Sequence, residues 1–569
     1  MAMRATSLHF VSALVAASVA CSGNNGGSAG SNFTAGSGSI GGDSPVAGGQ
    51  GGKSSSTPPS QCNPGADATW IEEGQSATIQ LRCATGRSTQ GIAFSIENLP
   101  DGARFDAETA TVSWTPTLSQ AGLYTLSVAV PQGETGKLKI GVADAFDDPS
   151  NVPVVDPSAY QEEYGLPVLH LTVPSTIEEN AIDPTTGNKA WVPATIVYRG
   201  HTFAAEAKYR GNTSLRYPKR NYSLRFPESD QFSEEILEGA VKSRRHLELI
   251  TTFDDPSQVR YRLALELWNR MDPNNVRVRQ FSLVLFVNGQ YWGVYAASDK
   301  VSASHFAHFG YSDLGNLYMG IDHQANFAKF RYNEPQPQIE TDLKTDLAQG
   351  YEKKDGTPLA GQADAFADLS ELVGFVVNSD EAEFQSELPN VLDVQNYYNW
   401  FIHTTAIQAF DSLGKNTLHY HDPIANTPWR MVPWDFNECF GQRWQTARFE
   451  TSLNPADIVY QSSGGFGYTN RNHLWRRIWN NPALSAELKA RYSSMLRGAL
   501  SKENVLEAFD VMVAETATAA KRDDRKWQTQ YRSYFQSNRN NDFHDSAGEA
   551  AYARAFIDRR WTDLSKTFP

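Results

Sequence analysis

Phe410-Asp-Ser-Leu-Gly-Lys-Asn-Thr-Leu-His-Tyr-His-Asp422, followed by Trp429-Arg-Met-Val-Pro-Trp-Asp-Phe-Asn-Glu438, is the stretch on which the reading of this chain turns. Asp411 closes an apolar segment expected to be helical over Val394–Phe410, and Asn416 follows five residues later. Thr417–His421 alternates as a short strand, and a second, Trp429–Val432, leads into Asp435-Phe436-Asn437. A carboxylate, an amide and a second carboxylate are thus delivered by a helix end and a strand pair. Oxygen donors of this kind suit a hard divalent cation and a phosphate, with one acid left to orient a hydroxyl. Asp-x4-Asn alone is a common arrangement of capping and turn residues. The second acid two strands later makes the set a candidate site.

A counterpart lies earlier. Lys208-Tyr-Arg-Gly-Asn-Thr-Ser-Leu-Arg-Tyr-Pro-Lys-Arg-Asn-Tyr-Ser-Leu-Arg-Phe226 joins a Gly-containing polar turn to six cationic residues. Arg210 offers a guanidinium, and Gly211, Asn212, Thr213 and Ser214 offer backbone N–H groups, a combination that holds phosphate oxygens. The competing reading is a solvated basic hairpin.

Around these segments the texture of the chain changes. From about 160 to 300 it is strand-rich, with Val168–Val173, Ala194–Tyr198, Phe203–Tyr209 and Asn221–Phe226 expected as strands. Phe281–Val287 and Tyr291–Ala297 flank Asn288-Gly289, a strong hairpin signal. One helix lies among them, capped by Asp255 or Ser257 and striped by Val259, Leu263, Leu267 and Met271. From about 363 helices are expected at Ala363–Val376, Val394–Phe410, Leu474–Trp479, Ala483–Leu500, Lys502–Ala520 and Glu549–Leu564. The run Lys521-Arg-Asp-Asp-Arg-Lys526 reads as a solvated helix face, and Trp475, Trp479, Trp527 and Trp561 as core. Residues 62–143 show short alternating runs (Ala77–Leu81, Ile92–Ile96, Thr111–Trp114, Leu123–Val130) between turn residues, the pattern of a small all-β sandwich. A linker, 144–160, follows. The expected architecture is multidomain: that sandwich, then an α+β domain over 161–569, β-rich to about 300 and α-rich after.

A chain of 569 residues is too long for one core. Asp+Glu 64 against Lys+Arg 50 leaves a net charge of −14, which argues against nucleic acid as the partner. Residues 1–21 read as an export signal: Arg4, the apolar Leu8–Ala20, and small residues at Ser18-Val19-Ala20. Cys21 then stands where a bacterial lipoprotein carries its lipid, although Ser18 replaces the usual Leu, and 22–61 is a Gly/Ser-rich tether. The expectation is an exported lipoprotein of the outer membrane or cell surface, touching the membrane only through a lipid anchor on Cys21. Cys62 and Cys83 are expected to form a disulfide, and Cys439 reads as a small buried hydrophobe.

Two resemblances add to this reading. Asn98-Leu-Pro-Asp-Gly-Ala-Arg-Phe-Asp106 through Trp114-Thr-Pro-Thr, then Gly122-Leu-Tyr, resembles the immunoglobulin-like domains common in bacterial surface proteins, which implies a spacer or adhesive module. Protein kinases use Asp-x4-Asn, a β-hairpin, then Asp-Phe-Gly; Asp411, Asn416 and Asp435-Phe436-Asn437 match in spacing and order, with Asn437 where Gly is usual. Together with Arg210-Gly-Asn-Thr-Ser214, Lys219-Arg-Asn-Tyr-Ser-Leu-Arg-Phe226, Asp255-Pro-Ser with Arg260, Val287-Asn-Gly-Gln-Tyr-Trp-Gly-Val-Tyr295 and Val432-Pro-Trp-Asp-Phe-Asn437 with Gly441, this resembles the spore-coat protein H (CotH) kinase family over roughly 165–500. The resemblance implies an atypical protein-kinase-like two-lobed fold that binds ATP with magnesium (Mg2+) and phosphorylates Ser or Thr of a protein substrate. It implies Asp411 as the catalytic aspartate, Asn416 and Asp435 as metal ligands, and Lys219 as the phosphate-binding lysine, with Arg220 and Arg210 as competitors. Glu266 would pair with that lysine or be a plain surface carboxylate. Asp299 stands where the family usually has Glu, and its shorter side chain puts a nucleotide contact there in doubt.

Other constellations are weaker. His419, His421 and Asp422 make a poor zinc set, and the lack of a Gly-x-Ser-x-Gly turn argues against a hydrolase. The functional expectation is an extracytoplasmic, surface-anchored atypical protein kinase. Its rival is a catalytically inactive kinase-like surface protein serving binding, adhesion or structure.

Overall fold

Apolar alternation and tight turns bring seven strands into a closed barrel. In spatial order they are Leu166–Thr172, Val192–Tyr198, His201–Arg210, Asn221–Arg225, His246–Thr251, Gln290–Asp299 and Gln280–Val287. Neighbours are antiparallel except at the closure, where Leu166–Thr172 meets Gln280–Val287 in parallel, Val168 opposite Val284 and Leu171 opposite Val287. Closure leaves the barrel without a free edge. The last hairpin turns on Asn288 and Gly289, both left-handed (φ 50° and 79°), as a two-residue turn between twisted strands requires. Leu169, Ile196, Phe203, Leu224, Leu249, Phe281 and Leu283 share one buried cluster. The expected β-rich region is therefore a barrel, and it includes a strand, His246–Thr251, that the sequence reading passed over.

The computed structural model describes residues 64–65 and, from 69 to 569, all except 84–88, 90, 132–134, 147–155, 180–189, 235–242, 323, 328–345, 410, 413, 443–447, 449–471 and 535–544. The expected export signal, Cys21, the tether and Cys62 lie outside the described residues.

The helix against the barrel runs Arg260–Met271 and buries Leu263, Leu267 and Trp268. Its N-cap position falls on Val259, not on Asp255 or Ser257, yet Asp255 Oδ2 reaches forward to accept the Arg260 N–H at 2.9 Å. A four-stranded antiparallel sheet follows, ordered Tyr351–Asp355, Asn316–Gly320, Thr417–His421, Arg430–Pro433. The helices are Ala367–Asn378, Glu381–Val391, Val394–Ala406, His473–Asn480, Pro482–Arg497, Lys502–Ser533 and Ser546–Thr567. Glu381–Val391 was not expected; Asp380 caps it, accepting from the N–H groups of Ala382 and Glu383.

Lys502–Ser533 overturns one expectation. The helix continues past Ala520, and the charged run is not a solvated face: Arg522 is 1% exposed, Asp523 0% and Asp524 6%. The buried stripe runs through Thr516, Ala519, Ala520, Asp523, Trp527 and Tyr531 at helical spacing; Asp523 faces the barrel and accepts from the Val294 N–H, Arg522 pairs with Glu163, and Asp524 accepts from Ser546 on the last helix.

Two sheets form the N-terminal β domain. Thr69–Glu72, Thr135–Ala143, Gly122–Ala129 and Ser95–Glu97 make one, and Ala77–Gln80, Thr111–Trp114 and Arg104–Asp106 the other. Val112, Leu126, Leu138 and Ile140 fill the space between them. Cys83 is buried and disulfide-bonded. This domain is seated on the barrel and the long helix. The Trp70 and Tyr164 rings lie 5.3 Å apart, Glu72 pairs with Arg525 at 2.6 Å, and Phe146 stacks on Tyr291 at 4.8 Å. Among the described residues no helix is long and apolar enough to cross a membrane.

Candidate functional site

The helix Val394–Ala406, buried through Trp400, Phe401 and Ile402, delivers the chain to Asp411. Asn416 and Asp435 then adopt left-handed conformations (φ 55° and 64°), which Asn and Asp tolerate better than most residues and which cluster where function holds them. Asn416 is fixed on both sides: its N–H donates to Gly320 O at 2.7 Å, and its carbonyl accepts from the Trp434 N–H at 2.9 Å. The second bond sets Asp435 beside Asn416. Asp411, Asn416 and Asp435 are thereby brought together.

The Asp411 carboxylate accepts from Lys415 Nζ at 2.8 and 2.6 Å and from Asn416 Nδ2 at 2.9 Å. Since the Asn416 amide nitrogen faces Asp411, its carbonyl oxygen is the group left for a cation. Burial would depress the Lys415 pKa, but the Asp411 charge and hydrogen bond outweigh it and raise it. No described residue donates to the Asp435 carboxylate. Burial raises its pKa and the Asp411 charge adds to that, while Arg210 and Lys415 oppose. Glu438 is 6% exposed and likewise without a hydrogen bond or ion pair among the described residues. Burial first, then Asp411, pushes its pKa well above the usual carboxylate range, with Lys415 opposing.

Across from this acidic group lies Arg210. Its Nε pairs with Glu248 Oε2 at 2.6 Å, Glu248 also accepts from Ser223 Oγ at 2.8 Å, and the guanidinium stands 5.6 Å from the Trp434 ring centre. Arg210 and Glu248 are held on barrel strands either side of Asn221–Arg225, the strand that supplies Ser223. Gly211 has φ 104°, and a Cβ there would collide with Ser214 Oγ, so the turn through Asn212 into the 3-10 segment Thr213–Arg216 needs glycine. Tyr217 Oη and Asn437 Nδ2 both donate to Asp254 Oδ2 at 2.8 Å, and Gln442 bonds Asp254 O and Asn437 O. Asn437, at the position usually Gly, thus ties the Asp435 turn to the chain that follows the Gly211 turn.

Three expected contributors are elsewhere. Lys219 is fully buried, and its ammonium donates to Asp523 Oδ2 (2.5 Å), Val294 O (2.8 Å) and Thr252 Oγ1 (3.3 Å), so it is not among the cations acting on Asp435. Glu266 pairs with Arg270 on the outer face of its helix at 2.5 Å, not with Lys219. Asp299 is buried against Arg244 and accepts from the Arg279 N–H at 2.9 Å, a structural role in the barrel. Glu248, Asp523 and Glu438 were missed. A carboxylate between leucines in Leu247-Glu-Leu-Ile, and another on the apolar stripe of a helix, are the signals that could have found the first two. His421 bonds Asp368 and stacks on Trp429, His419 faces Met431 Sδ, and Cys439 is a buried thiol donating to Phe436 O. Among the described residues no three His, Cys, Asp or Glu side chains form a ready metal site.

Fold and site together define a protein with a closed-barrel α+β domain and an acid–amide–acid set facing an arginine. The sequence signature of the family described as CotH kinase protein matches residues 207–561, more than half of the chain, and that described as Putative Ig domain matches 64–142. The chain belongs to the CotH kinase family and carries an N-terminal immunoglobulin-like domain. The Inner spore coat protein H of Bacillus subtilis (strain 168) is 25% identical over 251 residues, which is 44% of this chain and 63% of that protein. The match thus spans less than two thirds of that relative's length.

Proposed function

We propose that this protein is an atypical protein kinase transferring the γ-phosphate of ATP to a Ser or Thr hydroxyl of a surface or secreted protein. The observation that carries the reading is the Asp435 carboxylate, which accepts from no donor among the described residues and is set beside Asn416, whose amide nitrogen is turned to Asp411. These two oxygen donors fit Mg2+, which commonly takes one or two protein carboxylates and completes its shell with phosphate and water. Bound there with nucleotide, magnesium would neutralise charge developing on the transferred group. Asp411 orients the acceptor hydroxyl and takes its proton, and Lys415 holds that carboxylate in place until substrate arrives. Arg210, kept in position by Glu248, meets a phosphate oxygen in the role first assigned to Lys219, and the N–H groups of the Gly211–Ser214 turn line the same side. Export and anchoring through Cys21 complete the proposal.

The test is incubation of the purified protein with labelled ATP and Mg2+, comparing wild type with Asp435→Ala. Wild type is expected to bind nucleotide and incorporate label on Ser or Thr, and the variant to lose both. Absence of nucleotide binding and incorporation from the wild type would end the kinase reading; equal incorporation by the variant would remove Asp435 from the mechanism.

A further inference from the structure

We infer that Arg279, with Arg277 and Arg244, forms an anion site on the barrel that takes a phosphate monoester, on a phosphorylated protein side chain, or free phosphate. The site is separate from the one described above and does not depend on the kinase reading. Its residues gather at the His246 end of strand His246–Thr251, where Leu247 lies opposite Asp299. Arg210 stands at the other end of these strands, opposite Asn221, whose side chain accepts from the Thr251 N–H.

One carboxylate organises the cluster. Asp299 Oδ1 accepts from Arg244 Nε, Asp299 Oδ2 accepts from the Arg279 N–H at 2.9 Å, and the Asp299 N–H donates back to Arg279 O at 3.0 Å. Arg244 is fixed further by a two-way backbone bridge to Phe232, at 2.8 and 3.0 Å. Val276 and Val278 are buried in the apolar core, and Arg277 and Arg279 alternate with them. His305 Nε2 donates to Arg277 O at 2.9 Å. Asp299 is thereby taken up by one guanidinium and one backbone amide. Arg279 is 8% exposed, yet its Nη1 is buried without a hydrogen-bond partner, as is Arg277 Nε. Neither side chain has a carboxylate or ring partner among the described residues. The charges acting on the Arg279 guanidinium are those of Asp299, Arg277 and Arg244; burial first, then the two arginines, lowers its pKa. Burial, with the Arg244 charge adding to it, lowers the pKa of His305 and His308, so the nearby imidazoles are neutral at pH 7. Arg277 is half-buried and His308 exposed, so solvent reaches the cluster. Three guanidiniums against one carboxylate leave two positive charges in excess. A phosphate monoester carries about −1.5 to −2 at pH 7, which matches that excess, and arginine forks bind its oxygens bidentately. A purely structural part for Arg279 would require a bond or ring contact that its guanidinium does not make.

The experiment titrates the full chain by calorimetry, without nucleotide, with inorganic phosphate, a short Ser-phosphorylated peptide, its unphosphorylated form and acetate. Wild type, Arg279→Gln, Arg277→Gln, Arg210→Gln and the exposed control Arg104→Gln are compared, with melting in phosphate-free buffer and in phosphate alongside. Wild type and Arg104→Gln should bind the phosphorylated probes alike, and acetate and the unphosphorylated peptide far more weakly. Arg279→Gln and Arg277→Gln should each bind on the order of 10- to 100-fold more weakly, the effect of losing a hydrogen bond between charged groups. Arg210→Gln should retain the binding. Without phosphate, Arg279→Gln should melt no lower than wild type, because it discards an unpaired buried charge, and it should lose the rise in melting point that phosphate gives wild type. Should Arg279→Gln fold poorly, Arg277→Gln, at a less buried position, reads the same site. Tighter binding of the phosphopeptide than of inorganic phosphate would assign the site to a phosphorylated protein, and equal binding to free phosphate; either upholds the inference. It is overturned if wild type binds neither probe, if acetate binds as tightly as phosphate, if both Arg279→Gln and Arg277→Gln bind like wild type, or if Arg210→Gln alone abolishes binding.

Discussion

Replacing Lys219 by Met separates two roles that one lysine cannot combine in this fold. The ammonium and the Asp523 carboxylate are both fully buried, 2.5 Å apart, and the lysine makes two further hydrogen bonds. Breaking a buried pair by removing one partner costs about 3–5 kcal/mol, since the survivor is left charged in a low-dielectric interior. For Lys219→Met the lower end is expected, because Asp523 retains the Val294 N–H at 2.7 Å, Tyr531 Oη at 2.9 Å and Gln258 Nε2 at 3.2 Å. For Asp523→Asn the upper end is expected, because the stranded ammonium keeps only neutral acceptors. The double variant should recover about 2–3 kcal/mol of the summed loss, the coupling typical of residues in one buried network. Urea unfolding followed by circular dichroism gives the stabilities, and ATP affinity is measured on the folded fraction below the transition. The expected result is a large stability loss with ATP affinity unchanged. Wild-type stability combined with lost nucleotide binding would refute the reasoning and return Lys219 to the phosphates.

Two further outcomes follow from the same packing. Gly293→Ala should destabilise by about 2–4 kcal/mol, because its φ of 120° disfavours a side chain and the new Cβ would collide with Asp523 Oδ2; a melting point within a degree or so of wild type would contradict this. His419 is fully buried among Met431, Phe327 and Tyr351, and burial brings its pKa down to about 3 from the usual 6.5. The unfolded chain therefore gains a proton below about pH 6.5 that the folded protein refuses until about pH 3, so stability falls as pH drops through that window. His419→Leu should flatten the curve, and the wild-type-minus-variant stability should change by about 2–3 kcal/mol between pH 7 and 4.5. Parallel pH curves would show that His419 titrates normally.

What was legible in the sequence is what short-range chemistry controls. Asn288-Gly289 specifies its hairpin because that dipeptide accepts two left-handed residues, and Val394–Ala406 is readable because its apolar face and Asp393 cap are local. The spacing of Asp411, Asn416 and Asp435 was readable for a similar reason, since a helix end and one strand pair carry all three. Barrel closure was not, because a parallel pairing between Val168 and Val284 leaves no mark on either strand. The choice among cations was hidden too: Arg210 and Lys219 occupy one basic segment, and what separates them is a partner 304 residues further on, Asp523, which the long helix presses against Lys219. Glu438 shows the same limit at close range. Its neighbours in sequence suggest an ordinary turn carboxylate; only the packing of that turn, with the Phe440 N–H held on Ile407 O, leaves it 6% exposed. Sequence determined which groups were present and their local spacing, whereas the tertiary structure decided which charges were matched, because burial and long-range pairing are properties of the assembled core.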